Sequence, residues 1–296
     1  MSGAEIAVLV TCYNRRALTL QCLCKLAGQA HFHARNLFLV DDGSSDGTGE
    51  AVLALMPQAN VIRGDGSLFW NGGMRLAWTS AKNSARATGR SFDFYLWLND
   101  DVELAPDAIA MLVADADAVV PRGGAVIVAA AVIDPESGAI TYGAHRRPDP
   151  RRPLRMGLMQ PAGHPLRADS ISGNVVLVSA AAEAVLGNMA PGFVHIYGDL
   201  DYGLRAGKAG IPLLLASRVG GTCGTNSMAG SSLDPALSRF KRLHLRWRED
   251  GKLHARDWRR FVARHGGGPL AVIGHRVMPY LRILLDRPNR HAEGEQ

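Results

Sequence analysis

The 296-residue chain is 47% hydrophobic but only 6% aromatic, which suits one large α/β domain, or one domain with an appended helical piece, cored mainly by Ala, Val, Leu and Ile. Its formal charge of +6 is uneven: residues 236–296 carry 14 Lys/Arg against 6 Asp/Glu, and the rest carries 19 against 21. Cys12, Cys22, Cys24 and Cys223 lack zinc-like spacing, no apolar run approaches the roughly 20 residues that span a bilayer, and Met1–Glu5 lead into a strand without a leader pattern, so reduced thiols in a cytoplasmic chain are expected, with Cys22 and Cys24 as inert core residues.

Strand-like and helix-like segments alternate through the first half. Ile6–Thr11 is a β-branched run, and Arg15–Ala27 has apolar residues at helical spacing. Leu37–Val40 is a second strand, followed by the turn-rich Asp41–Thr48 and a helix over Gly49–Met56. Asn60–Arg63 reads as a third strand, Trp70–Ala87 as a helix and Phe92–Leu98 as a fourth strand ending in Asn99, Asp100 and Asp101. This alternation implies a mostly parallel sheet, whose sites lie beyond the carboxyl ends of the strands.

The second half is less regular. Ala125–Val132, Ala139–Tyr142, Val175–Ser179 and Pro212–Ala216 read as strands, and Asp199–Ala209 as a helix. The Pro- and Arg-rich segment Arg146–Arg167 reads as a long loop. From Leu237 the pattern is helical and basic, with a break at Gly266–Gly268 before Leu270–Leu285.

Three acidic clusters stand out. Leu96-Trp97-Leu98-Asn99-Asp100-Asp101 runs an apolar strand into paired carboxylates, a chemistry that suits Mg2+ or Mn2+ with substrate phosphates as further ligands. The same residues also suit a solvated turn. Val40-Asp41-Asp42-Gly43-Ser44-Ser45-Asp46-Gly47-Thr48 ends a second strand in two carboxylates, able to accept from a nucleobase or ribose, or to open a helix with Ser45 or Asp46 as its cap. Gly198-Asp199-Leu200-Asp201 opens a helix with a candidate general base. Asp201 and Arg205 have the spacing of an intrahelical ion pair.

Taken in order, these clusters resemble family 2 glycosyltransferases. The resemblance rests on Val8-Leu9-Val10-Thr11-Cys12-Tyr13-Asn14-Arg15, on Asp41 to Thr48, on Asn99-Asp100-Asp101, on Ser172-Gly173-Asn174-Val175-Val176-Leu177-Val178 and on Gly198 to Asp201, from Ile6 to Ala216 in all. Gly64-Asp65-Gly66-Ser67-Leu68-Phe69-Trp70-Asn71-Gly72-Gly73-Met74-Arg75 is similar to a bacterial rhamnosyltransferase-like subgroup from surface-polysaccharide pathways. The resemblance implies a GT-A fold over residues 1–235, with a nucleotide-binding half (1–103) and an acceptor half (104–235), before a basic helical extension, 236–296. It implies an inverting, metal-dependent transfer from a nucleotide sugar, a dTDP- or UDP-sugar, to a glycan or lipid-linked glycan hydroxyl.

On that resemblance Thr11, Tyr13, Asn14, Arg15, Asp41 and Asp42 hold the nucleotide, and Arg63, Asp65 and Gly66 flank the ribose and diphosphate. Trp70, Asn71 and Gly72 belong to the donor side, as do Asn99 and Asp100, while Asp101 binds the metal. Gly173, Asn174 and His195 lie on the acceptor side, with Asp199 as the base, its ionised form favoured by the helix N-terminus it opens. Trp70 also suits core packing and His195 a structural histidine. Two departures are Gly198, where the family usually has Glu, and Gly221-Thr222-Cys223-Gly224, where a metal-site His is expected.

Other readings compete. A sugar-1-phosphate nucleotidyltransferase needs a glycine-rich loop after the first strand, which Cys12-Tyr13-Asn14-Arg15-Arg16 is not. A dinucleotide oxidoreductase needs G-x-G-x-x-G there. A nucleotide-sugar-binding module without activity is compatible with Gly198. The basic tail suits peripheral contact with an anionic membrane at its inner face rather than nucleic acid. Packing on the catalytic domain or a homodimer contact fits the same pattern.

Overall fold

In β1 (Ile6–Cys12), Ile6, Val8 and Val10 join one apolar cluster and Ala7 and Leu9 another, on opposite sides of the sheet. All five are fully buried. A strand apolar on both faces requires cover on both faces. The computed structural model describes residues 3–149, 151–225, 228–248 and 255–286, which divide into two compact units, Met1–Thr225 and Asn226–Gln296.

The first unit continues with α1 (Arg16–Ala27), β2 (Leu37–Asp41), α2 (Thr48–Leu55), β3 (Asn60–Arg63), α3 (Phe69–Thr88), β4 (Phe94–Leu98), β5 (Glu103–Leu104) and α4 (Ala108–Asp117). Then come β6 (Ile127–Ile133), β7 (Ile140–Tyr142), β8 (Ala144–Arg146), β9 (Gly157–Leu158), β10 (Leu166–Arg167), β11 (Ser170–Ile171) and β12 (Val175–Ser179). The unit ends with α5 (Ala180–Leu186), α6 (Gly198–Lys208) and β13 (Leu213–Thr222). The main sheet runs β10-β13-β6-β12-β4-β1-β2-β3. It is parallel through β3, β2, β1 and β4, and becomes mixed where β12 runs antiparallel to β4 and β6.

That reversal positions the site. The carboxyl ends of β1 and β2 meet in register at Cys12 and Asp41. Because β12 is antiparallel, its first residue Val175 lies opposite Leu98, the last residue of β4. Gly173 and Asn174 therefore sit beside Asn99, whose backbone N–H donates to the Asn174 carbonyl at 2.9 Å.

Three site-bearing elements share one aromatic cluster. Trp97 of β4, Trp78 of α3 and Tyr202 of α6 are fully buried. Their ring centroids lie 5.0 Å (Trp97–Tyr202), 5.6 Å (Trp78–Trp97) and 5.7 Å (Trp78–Tyr202) apart, in tilted or edge-on geometry. Such pairs add about 0.5–1.5 kcal/mol each beyond area burial.

The structure differs from the sequence reading in places. Helices α4 and α5 were not expected, and the segment 146–167, read as a loop, contributes to the short strands β8, β9 and β10. Cys24, expected in the core with Cys22, is exposed, because two residues along a helix is about 200° of rotation.

The second unit holds α7 (Arg239–Trp247), α8 (Ala255–His265) and α9 (Pro269–Leu285), with α9 packed on both others. Its basic residues divide into two groups. Arg242 is buried, donating to the Ser232 carbonyl at 3.1 Å and to Asp286 at 2.6 Å. Arg246 is buried too, its guanidinium 5.8 Å from the Trp258 ring. One face of α9, carrying Leu270, Ile273, Val277, Leu281 and Leu284, is exposed, as are Phe240 and Trp247 of α7. No described helix is long and apolar enough to cross a membrane.

Trp78 touches the other two rings of the aromatic cluster, so Trp78→Ala leaves a large cavity. Urea denaturation should show a loss of about 3–5 kcal/mol.

Candidate active site

The acidic clusters converge on one edge of the sheet, and each carboxylate is held differently. Asp41, at the end of β2, is buried and turned into its own loop: it accepts from Ser44 N (2.9 Å) and from Gly49 N (3.1 Å) in the first turn of α2. Asp42, also buried, accepts from Gly66 N (2.9 Å), Leu68 N (3.3 Å) and Phe69 N (2.9 Å), fixing the loop that enters α3. Both carboxylates are thus satisfied by backbone donors; the cap of α2, expected at Ser45 or Asp46, is Gly47, while Asp46 Oδ1 accepts from Thr48 N at 3.1 Å.

Asn14 joins the first two loops. Its backbone N–H donates to Ser44 Oγ (2.9 Å), and its side-chain oxygen accepts from Ser45 N (2.8 Å). It does so at φ +50°, and Phe69 (φ +51°) and Tyr197 (φ +68°) hold the same left-handed conformation at the entries of α3 and α6. Such conformations in non-glycine residues cost energy and gather at functional sites. Tyr13, beside Asn14, exposes 55% of its surface. Thr11 is buried at the end of β1.

Arg15 lies just before α1 and reaches the end of β4. Its Nη1 donates to Asp101 Oδ2 at 2.8 Å and approaches Asp100 Oδ1 at 3.4 Å. Thr19, one turn on along α1, donates to Asp100 Oδ2 at 3.3 Å. Burial, and after it the like charge of Asp101, push the Asp100 carboxyl up to about 7 against the pull of Arg15. The Cys223 thiol lies 3.6 Å from Asp101 Oδ1 and is pushed up to about 12 by burial and by that carboxylate. Asn174 Nδ2 completes this corner, 3.8 Å from Cys223 Sγ. No cluster of three or more His, Cys, Asp or Glu able to hold a metal exists among the described residues. Two carboxylates facing a cation nevertheless form the hard oxygen donor set that Mg2+ or Mn2+ uses when phosphates and waters supply the remaining ligands.

At the start of α6, Asp199 Oδ2 accepts from Gly173 N (2.8 Å) and Oδ1 from Leu200 N (2.8 Å). The helix N-terminus was expected to favour its ionised form. Burial outweighs these donors, and the carboxyl is raised above the ordinary range. Asp201 is fully buried and binds Arg205 Nε at 3.0 Å, the expected ion pair, with Arg205 also donating to the carbonyls of Leu186 and Asn188.

Trp70 links the two sides. Its Nε1 donates to Asn99 Oδ1 at 2.7 Å, and a Cβ on Gly173 would lie 2.4 Å from its ring and 3.3 Å from Asp199 Cβ. Asn71 is fully buried and braces the loop before α6: its Nδ2 donates to the carbonyls of Ala190 (3.2 Å) and Phe193 (2.7 Å), and its backbone N–H to that of Val194 (3.1 Å). His195, half-buried in this loop, has its ring 6.0 Å from that of Phe69. Gly72 continues the first turn of α3, with its N–H on the Leu68 carbonyl at 3.1 Å.

Two further expected donor residues pair with near neighbours. Arg63 is exposed, 3.9 Å from Glu50, and the Asp65 carboxylate accepts from Ser67 N (2.9 Å) and Ser67 Oγ (2.6 Å). Thr19 and Cys223 escaped the sequence reading as site residues. The spacing of Arg15 and Thr19, four apart on one face of a helix start, was the available signal for Thr19.

The family model described as glycosyl transferase family 2 matches residues 7–174. No curated protein matches the chain by sequence. Among solved structures, a mannosyltransferase from Pyrobaculum calidifontis, in complex with GDP-Man and Mn2+, is similar at TM-score 0.54 and 14% identity, over 97% of this chain and 71% of that one. TarS from S. aureus is similar at TM-score 0.51 and 13% identity, over 94% and 73%. GalNAc-T7, with UDP, GalNAc and Mn2+, gives 0.51 and 12%, over 96% of this chain and 56% of that one. At these identities the likeness is one of fold.

Gly198 has a physical reason. A Cβ there would lie 1.9 Å from Asn71 Oδ1, so the Asn71 side chain fills the place where a side chain at 198 would begin. Gly198→Glu should therefore destabilise by about 1–3 kcal/mol in thermal or urea unfolding. Combined with Asn71→Ala, the loss should fall short of the sum of the two single losses, the mark of a shared contact.

Proposed function

This chain belongs to glycosyl transferase family 2 and has the GT-A fold, and we propose that it moves one glycosyl unit from a nucleoside-diphosphate sugar to an acceptor hydroxyl by a single inverting displacement assisted by Mg2+ or Mn2+. The observation that carries this reading is the Asn99–Trp70–Gly173–Asp199 chain of contacts, which couples the carboxylate pair ending β4 to a second carboxylate opening α6. An inverting displacement needs such a division, with charge neutralisation at the leaving group and a proton acceptor at the nucleophile.

Each role falls to a residue already described. Asp101 would hold the cation, joined by Asp100, which the resemblance placed on the donor side, and a bound cation neutralises the leaving diphosphate. Tyr13 offers an exposed ring to the base, and Thr11, Asn14, Asp41 and Asp42 shape the loops around it. Arg63, Asp65 and Gly66 border the ribose and diphosphate. Trp70, Asn71 and Gly72 back the donor sugar. Asp199 takes the acceptor proton, and burial, which raises its pKa, makes it a stronger base than an ordinary carboxylate. Gly173, Asn174 and His195 border the acceptor. Two solved neighbours were captured with GDP-Man or UDP and with Mn2+, which supports a nucleotide donor and a divalent cation here. Resemblance of the segment 64–75 favours a dTDP- or UDP-sugar, with dTDP-rhamnose first.

A nucleotide-sugar-binding module without turnover is the competing reading, and Gly198 is what favours it. Replacement of Asp199 by Asn separates the two. Transfer, or donor hydrolysis, should fall by about 10²–10⁴-fold while calorimetric donor affinity stays near wild type. Absence of turnover in the wild-type protein with Mn2+ and a panel of nucleotide sugars would favour the binding module. Full activity in Asp199→Asn would remove it as the base.

The second unit supports an acceptor held at a membrane, on the cytoplasmic inner face. The exposed face of α9 places apolar side chains near Arg276 and Arg282, a pairing suited to anionic lipid. Arg242 and Arg246 are spent inside the unit and take no part. Binding to anionic liposomes should be salt-sensitive and should weaken on Ile273→Glu. Arg242→Gln should act through stability instead. Equal partitioning to neutral and anionic vesicles at low salt would exclude the reading and favour packing or a dimer contact.

A further inference from the structure

Arg15 is bound to the carboxylates on which the proposed metal would sit, and its guanidinium finds its partners there. The guanidinium bonds Asp101 Oδ2 at 2.8 Å and lies 3.4 Å from Asp100 Oδ1. The other oxygen of each carboxylate is engaged as well: Thr19 Oγ1 lies 3.3 Å from Asp100 Oδ2, and Cys223 Sγ 3.6 Å from Asp101 Oδ1. One guanidinium nitrogen thus lies within 3.4 Å of an oxygen of each carboxylate, between the two. The carboxylates are nearly enclosed, with side chains 8% and 14% exposed, whereas the Arg15 side chain is 40% exposed and so has room to leave.

A divalent cation and a guanidinium cannot share these oxygens without strong repulsion in so enclosed a place. The two positive charges become compatible only if further negative charge arrives. A diphosphate supplies it, and its oxygens match the planar fork of an arginine. We infer that Arg15 is a tethered counter-cation of the Asp100–Asp101 pair, displaced by the incoming divalent ion and taken up by the diphosphate, so that the metal binds well only together with its nucleotide. This rests on the reading of Asp100 and Asp101 as the cation site. It adds a defined order of affinities: weak for the ion alone, tight for the ion with a diphosphate. By linkage, each ligand then raises the affinity of the other by the same factor.

The test is calorimetric binding of Mn2+ alone and of the Mn2+–pyrophosphate complex, in wild type and in Arg15→Met. Removing the competing guanidinium should tighten Mn2+ alone by about tenfold or more, since hydrogen bonds to charged groups are worth at least that. The same substitution should weaken the Mn2+–pyrophosphate complex. Opposite signs for the two probes are not produced by general loss of structure. Arg15→Lys, which keeps the charge and loses the fork, should remain close to wild type for Mn2+ alone and serves if Arg15→Met does not fold. Mn2+ affinity that is unchanged or lowered in Arg15→Met would overturn the inference while leaving the metal site standing. Failure of either protein to bind Mn2+ with or without pyrophosphate would overturn the metal site, and this inference with it.

Discussion

The packing of Trp97 against Trp78 and Tyr202 is the contact on which the site depends. Trp97 lies two residues before Asn99, Tyr202 three residues after Asp199, and Trp78 two turns along α3 from Trp70. Each ring therefore belongs to an element that delivers one part of the site, and the distances among the rings fix the distances among those parts. Interiors are packed as densely as organic crystals, so these three elements cannot slide independently. The contacts of Trp70 with Asn99 and Gly173 extend the same arrangement to the surface.

Around this frame the site is a problem in satisfying buried anions. Four different donor sets solve it: loop and helix-entry amides at Asp41, loop amides from the entry to α3 at Asp42, the guanidinium of Arg15 at Asp100 and Asp101, and the Gly173 and Leu200 amides at Asp199. Amides are fixed by the fold, whereas a guanidinium sits on a long, flexible stem. The carboxylates facing amides are thus permanently held, and those facing Arg15 are held by a group that can move away. On the proposed cation site a preorganised arrangement gains from that difference, since only the latter carboxylates would exchange one cation for another.

The sequence disclosed what ends strands and what opens helices. Apolar runs into Asp41 and Asp100 are legible because a buried strand cannot continue into carboxylates, and Asp201–Arg205 is legible because helix spacing alone makes that pair. It did not disclose partners from distant segments. The bond of Arg15 to Asp101 spans 86 positions, and that of Cys223 to the same carboxylate spans 122, so neither partner is marked by spacing. Helix α4 escaped because Ala-Ile-Ala-Met-Leu-Val-Ala-Asp-Ala-Asp is nearly apolar all round, so no polar face marks its period. Asp199 shows the opposite failure: the helix-start argument was sound as far as it went, but burial dominated, and burial is invisible in a linear sequence. Likewise nothing in the basic tail separates Arg242, which bonds Asp286, from the arginines around it.

The first turn of α3 accounts for several residues that look arbitrary in the linear sequence. Trp70, Asn71 and Gly73 press against three different elements, and at each contact one side has no Cβ. A Cβ on Gly73 would lie 2.1 Å from Thr11 Oγ1 at the end of β1, one on Gly173 would meet the Trp70 ring before β12, and one on Gly198 would meet Asn71 at the start of α6. Close approach of a helix to three neighbours at once is bought with these glycines. Seen this way, Gly198 is the complement of Asn71 and not merely a missing carboxylate. A Glu at 198 would require another residue at 71, and with it another way to brace the Ala190–Val194 loop ahead of Asp199. The departure from the family pattern and the Trp70-Asn71-Gly72-Gly73 segment are therefore one structural choice, made where α3, β12 and α6 meet.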